Sequence, residues 1–363
     1  MTGPMTTSSN TTTRQDAALS LMETVLREGR PLAHEYPLVF GENAAGQIET
    51  LEVDDEVAST CAWLARTLLT GGMEVPVSVV GSVATREECR GKGLGTEVLN
   101  LATSKAAAEG AAFSLLWADD PAWYQERGWV PFGSETIYVV DETMAFLLPE
   151  PVGVRTLRAN DAEAVHELYC LHSARVDRTL EETRTMLNVP GMQVFVCEKE
   201  GQVTGYACMN RGEDLGQVIH EWSGEPDSVL PIVSKLWHAN RLVHERLFMM
   251  VPPTGADYSA FFEFVKARGA TGILAMAKLG STEAIARVFD AATPDSVTVE
   301  ATSENTVDLT GEGGTIRLTD HEILLALCPP RGDRRVTDVV ESQTGTSMPS
   351  LPIRPFIWGL DSI

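Results

Sequence analysis

Apolar residues recur at helical spacing over residues 16–28, and this pattern predicts an amphipathic helix near the start of the chain. Three stretches rich in β-branched residues follow, at residues 48–53, 56–63 and 75–84. Their composition predicts a meander of strands. A second helix is predicted to end at Gly110, and an apolar strand follows at residues 112–117. The first part of the chain therefore predicts a sheet whose last two strands are joined by a helix.

The second half of the chain shows a similar order of elements. Strand and helix patterns follow one another at residues 154–157, 162–171, 194–209, 217–222, 228–239, 246–251 and 258–268. The order resembles that of the first half without its sequence, which indicates a diverged duplication. Beyond Asp295 the patterns predict short strands and a helix capped by Asp320.

These patterns predict a mixed α/β (α+β) fold in four segments. Residues 1–15, rich in Ser, Thr and Asn, are predicted to be a flexible tail. Residues 16–150 form a first domain that ends at a proline-containing linker, and residues 151–294 form a second domain. Residues 295–363 form a C-terminal appendage whose last stretch is strongly apolar.

Charge and composition narrow the classes of function. The chain has 363 residues with 28 Lys and Arg against 51 Asp and Glu, a formal net charge of -23. Such a charge repels nucleic acids and anionic membranes and attracts cations. No apolar run is long enough for a secretory signal or a membrane helix, so a cytoplasmic location and no membrane partner are expected. The six cysteines show no metal-ligand spacing and are predicted to be reduced and mostly buried.

A glycine-rich loop lies between the strand at 75–84 and the following helix. Its residues are Arg90, Gly91, Lys92, Gly93, Leu94, Gly95 and Thr96. A loop that leads into a helix N-terminus brings backbone N–H groups near one point, and its glycines let a ligand approach the main chain. The sequence lacks the Gly-Lys-Ser/Thr end of a Walker loop and the third glycine of the dinucleotide fingerprint. The loop therefore predicts a pyrophosphate site of another kind.

Two motifs resemble the GNAT family of N-acetyltransferases. Val83-Ala84-Thr85 followed by Arg90-x-x-Gly93-x-Gly95 is similar to the acetyl-CoA loop of the family. An apolar strand at 115–117, followed by Trp123-Tyr124-Gln125-Glu126-Arg127-Gly128-Trp129, is similar to its second signature. The resemblance covers approximately residues 35–145. The tandem order with an appendage resembles the enhanced-intracellular-survival group, which implies two GNAT-like domains, each a mixed sheet flanked by helices.

The resemblance implies acetyl-CoA as co-substrate, bound by the first domain, and requires no metal. The backbone of Val83 and Thr85, which flank Ala84, would pair with the pantetheine arm, and the loop from Arg90 to Thr96 would hold the pyrophosphate. The second domain has Gly224 in the corresponding loop but not the Arg-x-x-Gly-x-Gly motif. A single active site is therefore expected.

Tyr124 is the predicted general acid, because a phenol can protonate a departing thiolate while staying neutral at pH 7. The alternative is a core aromatic beside Trp123. The base is less well defined: Glu87 and Glu88 are expected at the surface, and Asp119 and Asp120 are expected to cap a helix. The resembled group brings its chain end into the transfer site, which makes the terminal carboxylate of Ile363 a candidate. The alternative is that the apolar end packs against the second domain.

The function predicted from these features is transfer of an acetyl group from acetyl-CoA to a primary amine by direct attack in a ternary complex. The acidic composition favours a cationic amine substrate. The alternative is a non-catalytic CoA-binding regulatory or scaffold protein. A homo-oligomer is left open by the sequence.

Overall fold

The computed structural model describes residues 8–42, 44–253, 255–302 and 305–363. Helix α1 (Ser8–Arg27) extends further towards the N-terminus than the apolar pattern predicts. It includes residues 8–15, which composition predicts to be part of a flexible tail; residues 1–7 of that tail lie outside the described residues. Ser and Thr carry only a modest helix penalty, and adding a residue to an existing helix is far easier than starting one, so the helix continues through this polar stretch.

The remaining elements of the first half are helices and strands of very different lengths. They are α2 (Pro37–Phe40), β1 (Gln47–Val53), β2 (Glu56–Thr70), β3 (Met73–Thr85), α3 (Leu94–Ala108), β4 (Phe113–Leu116), α4 (Pro121–Gln125), β5 (Val130–Phe132), β6 (Glu135–Val140) and α5 (Glu142–Ala145). Single 3-10 turns occupy Leu32–His34 and Glu87–Cys89.

The second half continues with β7 (Val154–Thr156), α6 (Ala162–Cys170), β8 (Ala174–Val176), α7 (Leu180–Met186), β9 (Gln193–Lys199), β10 (Gln202–Met209), β11 (Val218–Gly224), α8 (Pro226–Asn240), β12 (Leu247–Val251), α9 (Ala256–Phe264), β13 (Gly269–Gly272), β14 (Ala275–Leu279) and α10 (Thr282–Ala292). The C-terminal part adds β15 (Thr298–Ala301), β16 (Val307–Gly311), β17 (Gly314–Leu318), α11 (Asp320–Leu327) and α12 (Arg335–Thr344). Further 3-10 turns occupy Ala159–Asp161, Pro330–Gly332 and Gly359–Asp361.

The strands form two large mixed sheets and one small antiparallel sheet. The first large sheet has the order β1-β2-β3-β4-β14-β5, with β8 paired to β2. The second has the order β13-β6-β12-β11-β10-β9-β7, and the small sheet has the order β15-β16-β17. The architecture is therefore mixed α/β, as the sequence predicts.

The two large sheets exchange strands. Strand β14 comes from the second half of the chain and lies antiparallel between β4 and β5 of the first sheet. Strand β6 comes from the first half and pairs with β12 and β13 of the second sheet. The predicted domain boundaries stay predictions, but the sheets themselves do not divide at residue 150.

Strands β3 and β4 are paired over only part of their length. Their parallel pairing runs from Val77 with Phe113 to Val79 with Leu115, whereas β3 continues to Thr85. The edge of β3 that faces β4 is therefore unpaired over residues 80–85. On its other edge, β3 pairs with β2 through a register shift between Thr60 and Ala62. The sheet thus opens at the end of β3 that leads into the glycine loop.

Helices cover both faces of the first sheet. Helix α3 packs on one face in a cluster that contains Trp63 and Trp129, and α1 packs on the other face in a cluster that contains Met22 and Ala62. The largest buried cluster spans the second sheet, part of the first sheet and the C-terminal appendage. Within the described ranges all six cysteines are free, and only Cys170 is exposed. No described helix has the length and apolar character needed to cross a membrane.

Candidate active site

The glycine loop folds into an open cradle at the start of α3. Gly91 and Gly93 have φ angles of +74° and +85°, which side chains with a Cβ rarely adopt. Gly93 is the N-cap of α3 and offers no side-chain acceptor to the first turn. The first N–H groups of the helix therefore have no intrahelical acceptor and point out at the loop. The exposed side chains of Arg90 and Lys92 lie in the same segment, so backbone dipoles and cations together favour an anion here.

The strand residues that precede the loop separate into two kinds. Ala84 is buried on the α1 face of the sheet, in the cluster with Met22 and Ala62, whereas Val83 and Thr85 are half-buried. The hydroxyl of Thr85 shares a hydrogen bond of 2.8 Å with Ser59, and the carbonyl of Thr85 accepts one from Arg90 Nε at 3.3 Å. The unpaired edge of β3 at these residues could accept an extended ligand arm as an additional strand.

Arg127 is a residue of this site that the sequence analysis did not single out. Its Nε donates a hydrogen bond of 2.8 Å to the hydroxyl of Thr96 in the first turn of α3. Its guanidinium carbon lies 3.7 Å from the ring centroid of Trp123, and its Nη1 donates to the carbonyl of Trp123 at 2.6 Å. The spacing of four residues between Trp123 and Arg127 could have predicted their contact, because it places both side chains on one face of a helical turn.

Tyr124 lies in the same short helix, directly after Trp123. Its ring packs at edge-on angles against Trp123 and Trp129, with centroid distances of 4.8 and 6.0 Å. Its hydroxyl makes no hydrogen bond to any residue in the described part of the chain. Burial, reinforced by Cys61 and Asp119, raises the pKa of Tyr124 to about 12. The phenol is therefore protonated at neutral pH, as a general acid must be, although its ring also packs in the core.

The carboxylates near the loop and α4 have surface positions. Glu87 and Glu88 are exposed, and Glu88 lies 3.4 Å from the guanidinium of Arg86. Asp120 caps α4 by accepting a hydrogen bond from the Ala122 N–H at 3.1 Å. Asp119 is exposed beside it. Glu87, Glu88 and Asp120 thus have the positions expected from the sequence, whereas the cap of α4 is Asp120 alone and not Asp119.

The apolar end of the chain first packs against the second sheet. Trp358 is fully buried, its Nε1 donates to the carbonyl of Ala174 at 3.3 Å, and its ring lies 5.2 Å from that of Trp222. Gly359 then passes over the ring of His220, where a Cβ on the glycine would lie 2.5 Å from the His220 Cβ. Burial and the nearby Arg211 lower the pKa of His220 to about 3. The chain end therefore passes a neutral imidazole on its way out of the second sheet.

Asp361 anchors the chain end in a buried cluster of charges. Tyr169 donates a hydrogen bond of 2.7 Å to the carboxylate of Asp361, and Arg178 lies 3.5 Å from it. Arg178 also pairs with buried Glu221 at 2.6 Å, and Arg66 lies 3.9 Å from Asp361. Burial raises the pKa of Asp361 in spite of these cations. No local pattern predicts this cluster, because its members come from distant parts of the chain.

Ile363 reaches the first sheet at the point where β3 leaves β4. A Cβ on Gly81 would lie 2.7 Å from the main-chain oxygen of Ile363 and 2.8 Å from its carbonyl carbon. Gly81 pairs with Ala62 on β2 and lies two residues beyond Val79, the last residue of β3 paired with β4. Trp358 therefore packs on the second sheet, and Ile363 lies at the opening of the first sheet.

Tyr124 and Ile363 lie on opposite faces of this opening. Tyr124 packs in the cluster on the α3 face with Cys61 and Val80, and Ile363 packs on the α1 face with Ala62. The thiol of Cys61 lies 3.9 Å from the Gly81 carbonyl. A group that entered the gap between β3 and β4 would therefore have a phenol on one side and the chain end on the other.

Among the described residues, the second sheet has no corresponding cradle. Strand β11 is followed by α8 after the single residue Glu225, and Pro226 is the first residue of that helix. A Cβ on Gly224 would lie 2.6 Å from the carbonyl of Thr204, so this glycine serves chain packing. The Nε1 of Trp222 donates to the carbonyl of Met250 at 2.8 Å, across the point where β11 and β12 separate. The second opening is therefore filled by protein side chains.

Several solved structures share this fold. Solved structures with this fold include a probable N-acyltransferase from Enterococcus faecalis V583, which is 13% identical with a TM-score of 0.68 and 97% of each chain covered. A GCN5-related N-acetyltransferase from Anabaena variabilis is 14% identical with a TM-score of 0.64, covering 97% of this chain and 98% of its own. Eis1 from Mycobacterium abscessus is 14% identical with a TM-score of 0.54, covering 86% of this chain and 84% of its own. The fold is that of tandem GNAT-like proteins.

The family match is narrower in extent and points to the first half of the chain. Residues 10–132 match the family model of the acetyltransferase (GNAT) domain. This part of the chain therefore resembles the acetyltransferase (GNAT) domain. No curated protein matches the sequence. Among the described residues no three His, Cys, Asp or Glu side chains are grouped so that they could hold a metal ion.

Proposed function

We propose that the chain is an acetyl-CoA-dependent N-acetyltransferase that acts on a primary amine by direct attack in a ternary complex. The observation that carries the proposal is the contact of Ile363 with Gly81 at the opening between β3 and β4. This contact brings Ile363 to the opening of the first sheet, at the end of β3 that leads into the glycine cradle.

Acetyl-CoA fits the residues around this opening. The N–H groups at the start of α3, with Arg90, Lys92 and the guanidinium of Arg127 nearby, would hold the pyrophosphate. The unpaired main chain of Val83 and Thr85 would bind the pantetheine arm as a short strand. Ala84 contributes only its backbone, because its side chain is buried on the other face. The thioester would then enter the gap beside Gly81.

The chemistry follows from the two groups on either side of the gap. The amine nitrogen attacks the thioester carbonyl carbon, a C–N bond forms, and the C–S bond breaks. The terminal carboxylate of Ile363 takes the proton that the amine nitrogen loses. Tyr124 gives its hydroxyl proton to the departing thiolate. The raised pKa of Tyr124 keeps that proton in place at neutral pH until the thiolate develops.

A cationic amine suits the site best. The chain carries a formal net charge of -23, and the proposed base is itself a carboxylate that would attract an ammonium group before deprotonating it. We also propose that the enzyme works in the cytoplasm, because the described cysteines form no disulfide.

The test is an acetyl-transfer assay with a panel of polyamines, aminoglycosides and lysine peptides, in which free CoA thiol and acetylated product are both measured. Intact mass spectrometry first establishes that the purified chain ends at Ile363. A variant with four extra residues after Ile363 keeps every native side chain but displaces the terminal carboxylate. Its turnover should fall by about 100-fold or more, because a general base contributes roughly that much.

Two outcomes would count against the proposal. Full turnover in the extended variant, with the chain end shown by protease protection to remain docked, would exclude Ile363 as the base. Binding of acetyl-CoA by calorimetry with no transfer to any amine would favour the alternative of a non-catalytic CoA-binding protein.

A further inference from the structure

Arg211, in the loop that follows strand β10 of the second sheet, binds the last five residues of the chain. Arg211 follows strand β10 and is buried, with 3% of its surface exposed. Its Nη2 donates a hydrogen bond of 2.8 Å to the carbonyl of Ser362, and its Nη1 donates to the carbonyl of Gly359. The Nη2 also lies 3.3 Å from the Ser362 hydroxyl. One guanidinium thus holds both ends of the 3-10 turn that precedes Ile363.

The position of Arg211 is itself fixed by neighbours from both halves of the chain. Its guanidinium carbon lies 4.5 Å from the ring centroid of Tyr36, and the Tyr36 hydroxyl donates a hydrogen bond to Asp214. Gly212 adopts a φ of +55°, and a Cβ on it would collide with the carboxylate of Glu35. The loop after β10 is therefore pressed against the segment that joins α1 and α2.

We propose that Arg211 is a positioning residue that holds Ile363 against Gly81, so that the second half of the chain takes part in acetyl transfer without binding acetyl-CoA. The inference rests on the proposed function. Ile363 is one peptide unit beyond the carbonyl of Ser362 that Arg211 holds, and a planar guanidinium with two outward N–H groups can fix two carbonyls at once. A lysine could hold only one position of this pair firmly.

A separate anchor makes the role of Arg211 distinguishable from general stabilisation. Asp361 is held by Tyr169 and Arg178, and neither contact involves Arg211. Loss of Arg211 should therefore leave the chain docked as far as Asp361 and release Ser362 and Ile363. The expected result is a folded protein that binds acetyl-CoA normally but has its last residues misplaced.

The experiment compares R211M and R211K with R268M, a matched arginine-to-methionine control. Arg268 is an exposed residue of the second half of the chain that pairs with Asp141 at 2.8 Å. Turnover, the KM for acetyl-CoA and the rate at which carboxypeptidase releases Ile363 are measured at a temperature at which circular dichroism shows all variants to be folded. In R211M, kcat should fall by about 10- to 100-fold, the effect of displacing a reacting group by about an ångström, and Ile363 should be released faster.

The other measurements distinguish a positioning role of Arg211 from a purely structural role. In R211M the KM for acetyl-CoA should stay unchanged, R211K should recover part of kcat, and R268M should match the wild type in every measurement. If R211M does not fold, R211K alone must show both a lower kcat and a faster release of Ile363. The inference would be overturned if a folded R211M had the kcat of the wild type and released Ile363 at the wild-type rate. If only R211K folds, the same result in R211K would overturn it. A third outcome would separate the two proposals. If R211M released Ile363 faster but the wild type transferred acetyl to no amine, the proposed function would be overturned. The contact of Arg211 with the chain end would still be supported.

Discussion

Arg127 joins α4 to the first turn of α3 by donating a 2.8 Å hydrogen bond to the hydroxyl of Thr96. Its remaining nitrogen, Nη2, makes no hydrogen bond to any described residue. The guanidinium is also stacked on Trp123, and this contact favours its position beside the helix N-terminus. It is therefore a preorganised cation beside the proposed pyrophosphate site.

The Arg127 relationship predicts a loss of cofactor affinity on substitution. Arg127→Met should raise the Kd for acetyl-CoA about tenfold, because a hydrogen bond to a charged group contributes roughly 1.5–3 kcal/mol and 1.4 kcal/mol is a factor of ten. Isothermal titration calorimetry measures the change. The control is Arg14→Met, which removes an exposed arginine of α1. Equal affinities in both variants would remove Arg127 from the binding site.

Gly93 should be the most sensitive glycine of the cradle. Gly93→Glu should abolish the binding of acetyl-CoA, because it places a side chain at a φ of +85° and a negative charge at the N-terminus of α3. Gly110 is a matched control, since it has a φ of +96° and open space around it at the other end of the same helix. Gly110→Glu should lower stability to a similar extent and leave binding intact. Binding by the Gly93 variant with wild-type affinity in calorimetry would show that the cradle is not the site.

Tyr124→Phe should keep the affinity for acetyl-CoA and lower kcat by roughly 10²- to 10⁴-fold, the usual contribution of a general acid. The ring still packs against Trp129, so the melting temperature should change little. Because the pKa of Tyr124 is raised to about 12, the wild-type rate should show no loss of this acid between pH 7 and 10. Tyr138→Phe is the control, since that ring is stacked on Phe262 away from the cradle. A loss smaller than about tenfold in steady-state assays would assign the proton to water.

Glu135 gives a prediction on stability. Burial raises its pKa from 4.5 to about 7, and one carboxylate oxygen is buried without a partner among the described residues. The folded state therefore favours the protonated form. The contribution of Glu135 to the stability of the folded state is fully present below about pH 4.5 and is lost as the pH rises through 7. Glu135→Gln should stabilise the protein by about 1–3 kcal/mol at pH 8 and by much less at pH 5.

Thermal unfolding at the two pH values checks the Glu135 prediction. Glu142→Gln, which changes an exposed glutamate near the end of the same strand, is the control and should show no such pH dependence. An equal shift of melting temperature at pH 5 and pH 8 in Glu135→Gln would mean that the carboxyl is solvated.

Local features of the site could be predicted from the sequence because they depend on neighbouring residues. The glycines at 91 and 93, the start of α3 and the cap at Asp120 each follow from a few adjacent positions. The apolar pattern predicts too short a helix α1, because the polar composition of residues 8–15 does not by itself end a helix. Two destinations for the chain end remained open, since an apolar run indicates that it docks but not where.

Contacts between distant segments could not be predicted. The cluster of Asp361, Arg178 and Glu221 consists of ordinary charged residues whose burial depends on the folded neighbours. Arg211 lies in a loop with no motif. The exchange of β6 and β14 also escapes prediction, because strand patterns report which residues face the core and not which strand they pair with.

The insertion of β14 between β4 and β5 has a consequence for synthesis of the chain. Leu279 of β14 leaves the ribosome about 160 residues after Leu116 of β4. At roughly 5–20 residues per second, the nascent first half waits about 8–30 s for the strand that completes its sheet. During that interval the edges of β4 and β5 are open to pairing with other chains. The first sheet therefore stays incomplete until most of the second half of the chain has been made.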